Sequence, residues 1–457
     1  MQRHARGCSA RAILTACVAN SGAVGRSTDR ELVPVLHAAQ IAGVASGMQI
    51  ELAPQAGASA REDGMASRLG RIAAAASLAW LVAAAGPARG AGVIKVGVIA
   101  ELSGPFADMG KKIEDGIQLY LKEHGDTVAG KKVEIVVKGV NGAAPEVARR
   151  LAQELVTRDR VDILTGFGLT PNALAATEVA TAARRPMLVM NAATSIITAK
   201  SPYVARFSFT LAQVAAPLGE WAARNGIHKV FTIVTDYGPG LDAEAAFTRT
   251  FTQHGGTIVG GVRAPLANPD FAPFLQRARD ASPDAVFAFV PSGDQGVAFM
   301  KGFAERGLAQ AGIRLVSTGD VTEDAVLEAI GDPALGVVTT HHYSMAHDSP
   351  ENRAFVKAYT AVHGANARPD FVNVGAYDAM AAIYEVARRL GGDMDPDRFM
   401  AALKGLEIDS PRGRIRIDPE TRDVVQDVYV RRVEKKDGRL FNVEFEKFPA
   451  VKDPGKG

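Results

Sequence analysis

Cysteine is almost absent from this sequence. Of its 457 residues only Cys8 and Cys17 are cysteines, so the chain beyond residue 17 contains none. A disulfide framework, a thiolate-bound metal and a cysteine nucleophile are therefore excluded from that larger part of the chain.

The common cofactor and hydrolase motifs are absent as well. The patterns G-x-G-x-x-G, G-x-x-x-x-G-K-[ST], G-x-S-x-G and H-E-x-x-H do not occur. The nearest approach to a dinucleotide fingerprint is Gly166-Phe167-Gly168, which has Pro171 where the third glycine belongs. We therefore expect neither a cofactor nor a metal site.

A charge excess of one sign is also lacking. The formal net charge is +2, and no basic run alternates with aromatic residues, so nucleic acid is not an expected partner. With 47% hydrophobic and 22% charged residues the composition is that of a soluble globular protein. The length favours two or more domains.

A short apolar run precedes the body of the chain. Met65 opens a segment with two arginines, which continues as the apolar run 72–85 and ends in small residues. These are the three parts of a secretory signal peptide, so we assign residues 65–90 to one and expect export to the periplasm. Residues 1–64 have no steady periodicity and are interpreted as an over-extended gene model or a disordered segment. The alternative is a genuine N-terminal extension with a membrane anchor.

From Val93 onward, predicted strands and helices alternate in two series, the pattern of parallel α/β sheets. Segments 203–210 and 337–343 interrupt the alternation and are predicted to cross a hinge. The sequence therefore predicts an α/β protein with two Rossmann-like lobes, one from residues 91–210 and 343–422, the other from residues 211–342 and 423–457. The final stretch is predicted to be a β-hairpin that turns at Asp437-Gly438.

Loops at the ends of the first-series strands supply candidate binding residues. Gly168, Leu169 and Thr170 follow one predicted strand, and Thr194 follows the next. Hydroxyl and backbone N–H donors at helix N-termini suit a carboxylate. The alternative is that both threonines only cap helices.

Aromatic and apolar residues at the same loop tips are candidates for an apolar wall of the site: Phe106, Met109, Phe167 and Leu169. Core packing is the competing interpretation of Phe167.

The second series carries polar candidates at its strand ends. Asp236-Tyr237 and Asp320 follow predicted strands, and Asp320 is expected either to hold a ligand cation or to cap the next helix. For His341-His342, strand alternation points the two rings to opposite faces, so we do not expect a shared metal ion. We expect one ring to be packed and the other solvated.

Three stretches resemble the periplasmic leucine/isoleucine/valine-binding protein family. They are Val96-Gly-Val-Ile-Ala-Glu-Leu-Ser-Gly-Pro-Phe-Ala-Asp-Met-Gly110, Asn191-Ala-Ala-Thr194 and Asp236-Tyr-Gly-Pro-Gly240, and segment 410–426 is similar to a subgroup. The resemblance runs from about Ile94 to the end of the chain. It implies the type I periplasmic-binding-protein fold, with a multi-strand hinge, and a receptor that delivers a solute to an ABC importer.

The resemblance also implies roles for particular residues. In relatives that bind amino acids, two first-lobe loops hold the carboxylate, at positions that match Thr170, Ala193 and Thr194. Positions that carry aromatic contacts match Met109 and Tyr237.

The ammonium end departs from the family pattern. Where amino-acid binders offer a tyrosine this sequence has Pro291-Ser292, and the acidic partner falls near Gly319 or Asp320. The ligand class is therefore open at this end.

We expect a monomeric, non-enzymatic receptor that closes over a small carboxylate-bearing solute and docks on an ABC permease. A branched-chain or related amino acid is the first expectation for the solute, and an aromatic acid or amide is the alternative. Two other classes compete: an enzyme that uses Asp236 and Asp320 as a carboxylate pair, and a receptor ectodomain. The second would need a transmembrane helix after the lobes, whereas this sequence stops at Gly457.

Overall fold

The computed structural model describes residues 92–456, which form two lobes, each built around one β-sheet with helices packed on it. The predicted signal peptide and the segment 1–64 lie outside the described residues. Within residues 92–456, no helix combines the length and the apolar character needed to cross a membrane. The predicted two-lobed α/β architecture is confirmed.

The first lobe contains a six-stranded sheet in the order β2-β3-β1-β4-β5-β6. Every neighbouring pair is parallel except β2 with β3. Because helices cover both faces of the sheet, β1 buries every residue from Val96 to Glu101. The strands are β1 Val93–Ser103, β2 Thr127–Val128, β3 Lys131–Asn141, β4 Ile163–Gly166, β5 Met187–Val189 and β6 Val204–Arg206.

The second lobe contains a nine-stranded sheet in the order β12-β13-β14-β11-β10-β9-β7-β8, with β15 paired to β14. Its central strands from β8 to β11 are parallel, and β14 begins an antiparallel part. The strands are β7 Lys229–Thr235, β8 Thr257–Ala264, β9 Ala285–Phe289, β10 Arg314–Thr318, β11 Val338–His341, β12 Glu407–Ser410, β13 Gly413–Ile417, β14 Val424–Lys436 and β15 Arg439–Val451.

The helices connect the parallel strands and bury one face against the sheets. Helix α1 buries Ile113 and Ile117 and packs on α11, which begins with a capping box formed by Asp370 and Asn373. The α-helices are α1 Ala107–His124, α2 Pro145–Thr157, α3 Thr170–Ala182, α4 Ile196–Ala199, α5 Leu211–Arg224, α6 Gly238–Gln253, α7 Ala272–Asp280, α8 Asp294–Glu305, α9 Leu327–Ile330, α10 Pro350–His363, α11 Phe371–Arg389 and α12 Pro396–Leu403. Short 3₁₀ segments are Gly104–Phe106, Gly319–Thr322, Asp332–Ala334 and Pro454–Lys456.

The predicted hairpin is confirmed, and one detail of the prediction is wrong. Strands β14 and β15 turn at Asp437 and Gly438, whose φ angles of 51° and 79° are those of a tight hairpin turn. Residues 204–206, predicted to lie in a hinge crossing, form the sixth strand of the first sheet.

The C-terminal stretch supports the junction between the lobes. The buried Arg412 guanidinium donates to the backbone oxygens of Ser208 (2.7 Å) and Phe207 and pairs with Asp378 at 2.7 Å. Strands β12 and β13 pair through β14 with the second sheet, although segment 343–422 was assigned to the first lobe. The exact lobe boundaries stay a prediction.

Candidate ligand-binding site

The strand order brings two sets of loops face to face. In the first sheet, β3 lies on one side of β1 and β4 on the other, so the strand order reverses direction at β1. In the second sheet, β8 lies on one side of β7 and β9 on the other, so the order reverses between β7 and β9. Ligands of open α/β sheets bind beyond the carboxyl ends of strands at such reversals. A small cavity of about 20 Å³ lies there, lined by Met109, Gly168, Leu169, Thr170, Asn191, Ala193, Phe209, Leu211, Tyr237, Pro239, Phe289, Pro291, Ser292 and Asp320.

Eight of the ten residues predicted from the sequence line this cavity: Met109, Gly168, Leu169, Thr170, Ala193, Tyr237, Ser292 and Asp320. Thr194 does not line it but is hydrogen-bonded to Thr170. Phe106 lies in a separate outer cavity, which shares Met109 and Ser292 with the inner one. Phe167 is fully buried in the core of the first lobe, as its competing interpretation held.

A buried carboxylate holds the first-lobe loop in shape. Glu101 Oε2 accepts from the Gly168 N–H at 2.9 Å, and Oε1 accepts from the Leu169 N–H at 3.1 Å and from Asn172 Nδ2 at 2.7 Å. Burial raises the pKa of Glu101, although Asn172 and the backbone donors lower it. Two backbone N–H groups of this loop are therefore directed to Glu101 rather than to the cavity. Glu101 could not be predicted as a site residue because it stands inside an apolar strand.

Two hydroxyls mark one end of the cavity. Thr170 Oγ1 and Thr194 Oγ1 are 2.9 Å apart and both side chains are buried. Neither hydroxyl caps a helix, so the capping alternative is wrong for both. When Thr194 donates to Thr170, the Thr170 proton is available to an acceptor in the cavity.

A buried arginine stands behind this hydroxyl pair. Arg206 donates from Nη2 to the Thr194 carbonyl oxygen at 2.7 Å and from Nη1 to the Phe209 carbonyl oxygen at 3.2 Å. Its Nε lies 3.0 Å from Asp423 Oδ1, so the guanidinium is paired on its far side. The arrangement fixes the Thr194 loop and places a positive group near the donor end.

Asn191 joins the two first-lobe loops. Its Nδ2 donates to the Gly168 carbonyl oxygen at 2.9 Å. Its Oδ1 is buried and has no hydrogen-bond partner within residues 92–456. A bound molecule with a donor group would satisfy this oxygen, because a buried acceptor without a partner is costly.

Aromatic side chains form much of the cavity wall. Tyr237 and Phe289 stack with ring centroids 6.1 Å apart and an interplanar angle of 23°. Phe209, from the junction between the lobes, lines the cavity with them. Burial, followed by the charge of Asp320, raises the pKa of Tyr237, so its hydroxyl stays protonated and can donate. The sequence analysis found Tyr237 but missed Phe209, which lies in a segment predicted only to cross the hinge.

Asp320 is the one carboxylate among the cavity-lining residues, and it stands on the second-lobe side. It lies in the 3₁₀ segment after β10, where its Oδ2 accepts from Thr318 Oγ1 at 2.8 Å, so the capping alternative is wrong here too. Burial raises its pKa to about 6, although the Thr318 hydrogen bond and the charge of Arg431 lower it. Asp236, in contrast, is exposed and does not line the cavity.

His341 and His342 differ from the expectation in two respects. Both are fully buried, so neither is solvated, and their ring centroids are only 4.4 Å apart. Strand β11 ends at His341, so the alternation of side chains along a strand does not extend to His342. Both imidazole rings pack on Phe209, with ring centroids 4.8 Å away for His341 and 4.7 Å away for His342. His341 Nε2 lies 3.9 Å from Asp320 Oδ2, and burial lowers the pKa of His341, which keeps it neutral. Among residues 92–456, no cluster of three or more metal-ligating side chains is found.

The lobes touch at the rim of the cavity. A Cβ at Gly238 would lie 2.6 Å from Thr194 Oγ1, so a glycine is needed for this close approach. Beside it, the Ser195 N–H donates across the cleft to Asp242 Oδ2 at 2.8 Å. The structure is therefore a closed form.

Comparison with known proteins identifies the family. The family model for periplasmic binding proteins matches residues 93–439. The chain belongs to the periplasmic binding protein family. This family consists of solute-binding proteins of ABC transporters, which are not enzymes, and its type I fold agrees with the two lobes described above.

Similar proteins place this family member among substrate-binding proteins of ABC transporters. Leu/Ile/Val-binding protein homolog 6 of Brucella melitensis is 47% identical over 366 residues, which are 80% of this chain and 94% of the relative. A solute-binding protein from Rhodopseudomonas palustris BisB5, solved with 3,4-dihydroxybenzoic acid, is 55% identical, with a TM-score of 0.78 over 80% of this chain and 99% of its own. Another from Rhodopseudomonas palustris HaA2, solved with p-hydroxybenzoic acid, is 44% identical, with a TM-score of 0.78 over 79% and 99%.

Proposed function

We propose that this periplasmic binding protein captures a hydroxylated aromatic acid and delivers it to the permease of an ABC importer. The observation that carries the proposal is the cavity itself, which has hydroxyl donors at one end, aromatic walls, and one buried carboxylate opposite. Two relatives with 55% and 44% identity hold dihydroxy- and hydroxybenzoic acid, which supports the same ligand class here.

The carboxylate of the solute would bind at the hydroxyl end. The Thr170–Thr194 pair provides a proton toward the cavity, and the loop that carries Ala193 and Thr194 lies beside it. Hydrogen bonds to a charged acceptor are stronger than neutral ones, by roughly a factor of two. The Arg206 guanidinium behind this loop favours a negative group further.

The ring would pack between the aromatic walls, and its hydroxyl would reach Asp320. Phe209, Tyr237 and Phe289 give flat apolar surfaces of the kind that a benzene ring contacts well. At pH 7 Asp320 is mostly ionised, because its raised pKa of about 6 is still below that pH. An ionised carboxylate accepts a phenolic hydroxyl without needing a cation.

Binding proceeds by closure of the two lobes. The solute meets the first lobe through the threonine loops, and contacts with Tyr237, Ser292 and Asp320 form only when the second lobe closes. Contacts that exist in the closed form and not in the open form are the ones that shift the population toward the closed form. We expect the solute to be released unchanged. The carboxylate pair that the competing enzyme requires is not assembled in the cavity, because Asp236 is exposed and does not line it.

A branched-chain amino acid is the second candidate. Asp320 would then pair with the ammonium group, and the 47% identical relative carries the name of a Leu/Ile/Val-binding protein homolog. Against this candidate, the family's aromatic partner at the ammonium end is replaced by Pro291-Ser292.

Titration calorimetry with 3,4-dihydroxybenzoate, 4-hydroxybenzoate, benzoate and leucine tests the proposal. We expect tight binding of the two hydroxylated acids, weaker binding of benzoate and no binding of leucine. In the Asp320→Asn variant the amide oxygen still accepts a ring hydroxyl, so hydroxybenzoate affinity should fall less than about tenfold. If the wild-type protein binds leucine and the Asp320→Asn substitution abolishes that binding, the amino-acid candidate is established instead.

We further propose that the protein works in the periplasm as a monomer after cleavage of the signal peptide at residues 65–90. Mass spectrometry of the exported protein should find a mature N-terminus close to residue 91, and light scattering should give the mass of one chain. A mature N-terminus upstream of Met65 would contradict the first expectation, and a dimer mass would contradict the second.

A further inference from the structure

A buried lysine connects the two lobes outside the ligand cavity. Lys112 on α1 of the first lobe is 7% exposed, and its Nζ lies 2.6 Å from Asp108 Oδ2 and 2.9 Å from Asp370 Oδ2. It also forms an ion pair and hydrogen bond with Glu323 Oε1, which belongs to the second lobe. We call these four residues the latch cluster.

Within the latch cluster, the contacts of Glu323 with Lys112 and with Asp370 cross between the lobes. Asp108 lies one turn before Lys112 on the same helix, and Asp370 caps α11, which packs on α1. Asn373 of α11 also donates to the Lys112 carbonyl oxygen at 2.9 Å, so this side is one rigid part of the first lobe. Glu323 follows β10 and belongs to the second lobe. Opening of the cleft therefore separates Glu323 from Lys112 and Asp370, while Lys112 keeps Asp108 and Asp370 as partners.

Glu323 also holds a wall of the ligand cavity. Its Oε2 accepts from the Gly293 N–H at 3.0 Å. Gly293 has a φ of 83°, which favours glycine, and it follows Ser292, a lining residue. One carboxylate thus connects the second-lobe wall to the first-lobe cation.

The outer cavity lies against this cluster. Its lining includes Phe106, Asp108, Lys112, Ser292 and Gly293, and it shares Met109 with the ligand cavity. The Lys112 end of the ion pair therefore borders a cavity that adjoins the ligand cavity.

We propose that Lys112 and Glu323 are positioning residues for ligand retention: their pair forms only on closure and sets how slowly the closed protein releases its solute. The proposal rests on the proposed function, because retention requires a solute that closes the lobes. The geometry explains why retention, rather than capture, is affected. In the open form both groups are hydrated, whereas in the closed form the ion pair is buried and each group lacks water as a substitute partner. Burial raises the pKa of Glu323 well above its ordinary value, which fits a group deprived of water on closure. The Lys112 charge lowers this pKa, and the charge and hydrogen bond of Asp370 raise it.

The test compares neighbouring lysines on one helix. Lys112→Met removes the ion pair between the lobes. Lys111→Met, the control, removes only an exposed ion pair with Asp115 of the same helix. Stopped-flow release of 3,4-dihydroxybenzoate should be at least about tenfold faster in Lys112→Met, with association changed less than about threefold, because one partner of a buried pair is missing only in the closed form. Lys111→Met should leave both rates unchanged.

A second variant, Glu323→Gln, tests the same pair in case Lys112→Met does not fold. It keeps the side-chain shape and leaves Lys112 with Asp108 and Asp370, so the fold should persist, and release should again be faster. A lowered melting temperature with an unchanged release rate in both variants would overturn the proposal in favour of a purely structural role.

Failure of the proposed function can be told apart from failure of the latch. If the wild-type protein binds leucine and none of the aromatic acids, the proposed function falls, and the latch is judged by the stopped-flow release of leucine. Release should then be faster in Lys112→Met and Glu323→Gln than in Lys111→Met. Equal release rates for all three would overturn the latch.

Discussion

Replacing Thr170 by valine removes one hydroxyl from the donor end of the cavity and changes little else. Valine keeps the branched shape, and Thr170 Oγ1 has one described contact, with Thr194 Oγ1 at 2.9 Å. If a solute carboxylate accepts from this pair, the loss is that of a hydrogen bond to a charged group, about 1.5–3 kcal/mol. Affinity should then fall by about tenfold to 150-fold.

A matched control lies two turns along the same helix. Thr177 is also buried, but its hydroxyl donates to the Ala173 carbonyl oxygen at 2.9 Å, within α3. Thr177→Val should lower the stability by about 1 kcal/mol and leave affinity unchanged. Thr170→Val should have a similar effect on stability and a much larger effect on binding.

Titration calorimetry with 4-hydroxybenzoate provides the affinities, and urea unfolding provides the stabilities. Thr194→Val should weaken binding in the same direction, because the two hydroxyls act as a pair. An affinity of Thr170→Val equal to that of Thr177→Val would refute the assignment of the hydroxyl pair to the solute carboxylate.

Three further predictions concern the rest of the site. The pKa of Asp320, about 6, exceeds that of an unfolded aspartate, so the folded chain holds more protons between pH 4 and 6, and the group lowers stability as pH rises through that window. Asp320→Asn should therefore gain stability over wild type, by up to about 3 kcal/mol, between pH 4 and pH 7, and parallel unfolding curves would contradict this. Gly238→Ala should weaken affinity about tenfold by obstructing closure against Thr194, without lowering the melting temperature of the free protein, and unchanged affinity would remove that contact from closure. Glu101→Gln should lower the free energy of unfolding by about 1–3 kcal/mol, because an amide NH₂ would face N–H donors, and wild-type stability in urea would exclude that anchoring role.

Local patterns in the sequence were sufficient to predict much of the fold. The apolar β1 and the helical spacing of Ile113 and Ile117 each depend on neighbours in the chain, and the turn at Asp437-Gly438 depends on local backbone preference. The strand-end rule also pointed to the loops at Thr170 and Tyr237, because parallel strands place those loops at one edge of each sheet.

The rest depended on contacts between distant parts of the chain. Glu101 receives its donors from residues 67 to 71 positions away, and Lys112 meets Glu323 211 positions away. Periodicity carries no information about such partners, so Glu101 and the latch cluster escaped notice. His342 was misjudged because strand alternation was applied one residue beyond the end of β11.

Only some of the residues that line the pocket could be predicted from the sequence. The threonine loops could be recognised by their position after strands, whereas Phe209 and Phe289 enter the cavity through the way the two lobes meet. The choice between an amino-acid ligand and its aromatic-acid alternative therefore depended on the ammonium end alone, at Pro291-Ser292 and at Gly319 or Asp320.

X-ray scattering of the purified protein during a titration with 3,4-dihydroxybenzoate shows whether the two lobes close on a small aromatic acid. The radius of gyration should decrease and saturate at one solute per chain, and the solute should be recovered chemically unchanged. A radius of gyration that stays constant at saturating solute, or a solute converted to another compound, would contradict this expectation.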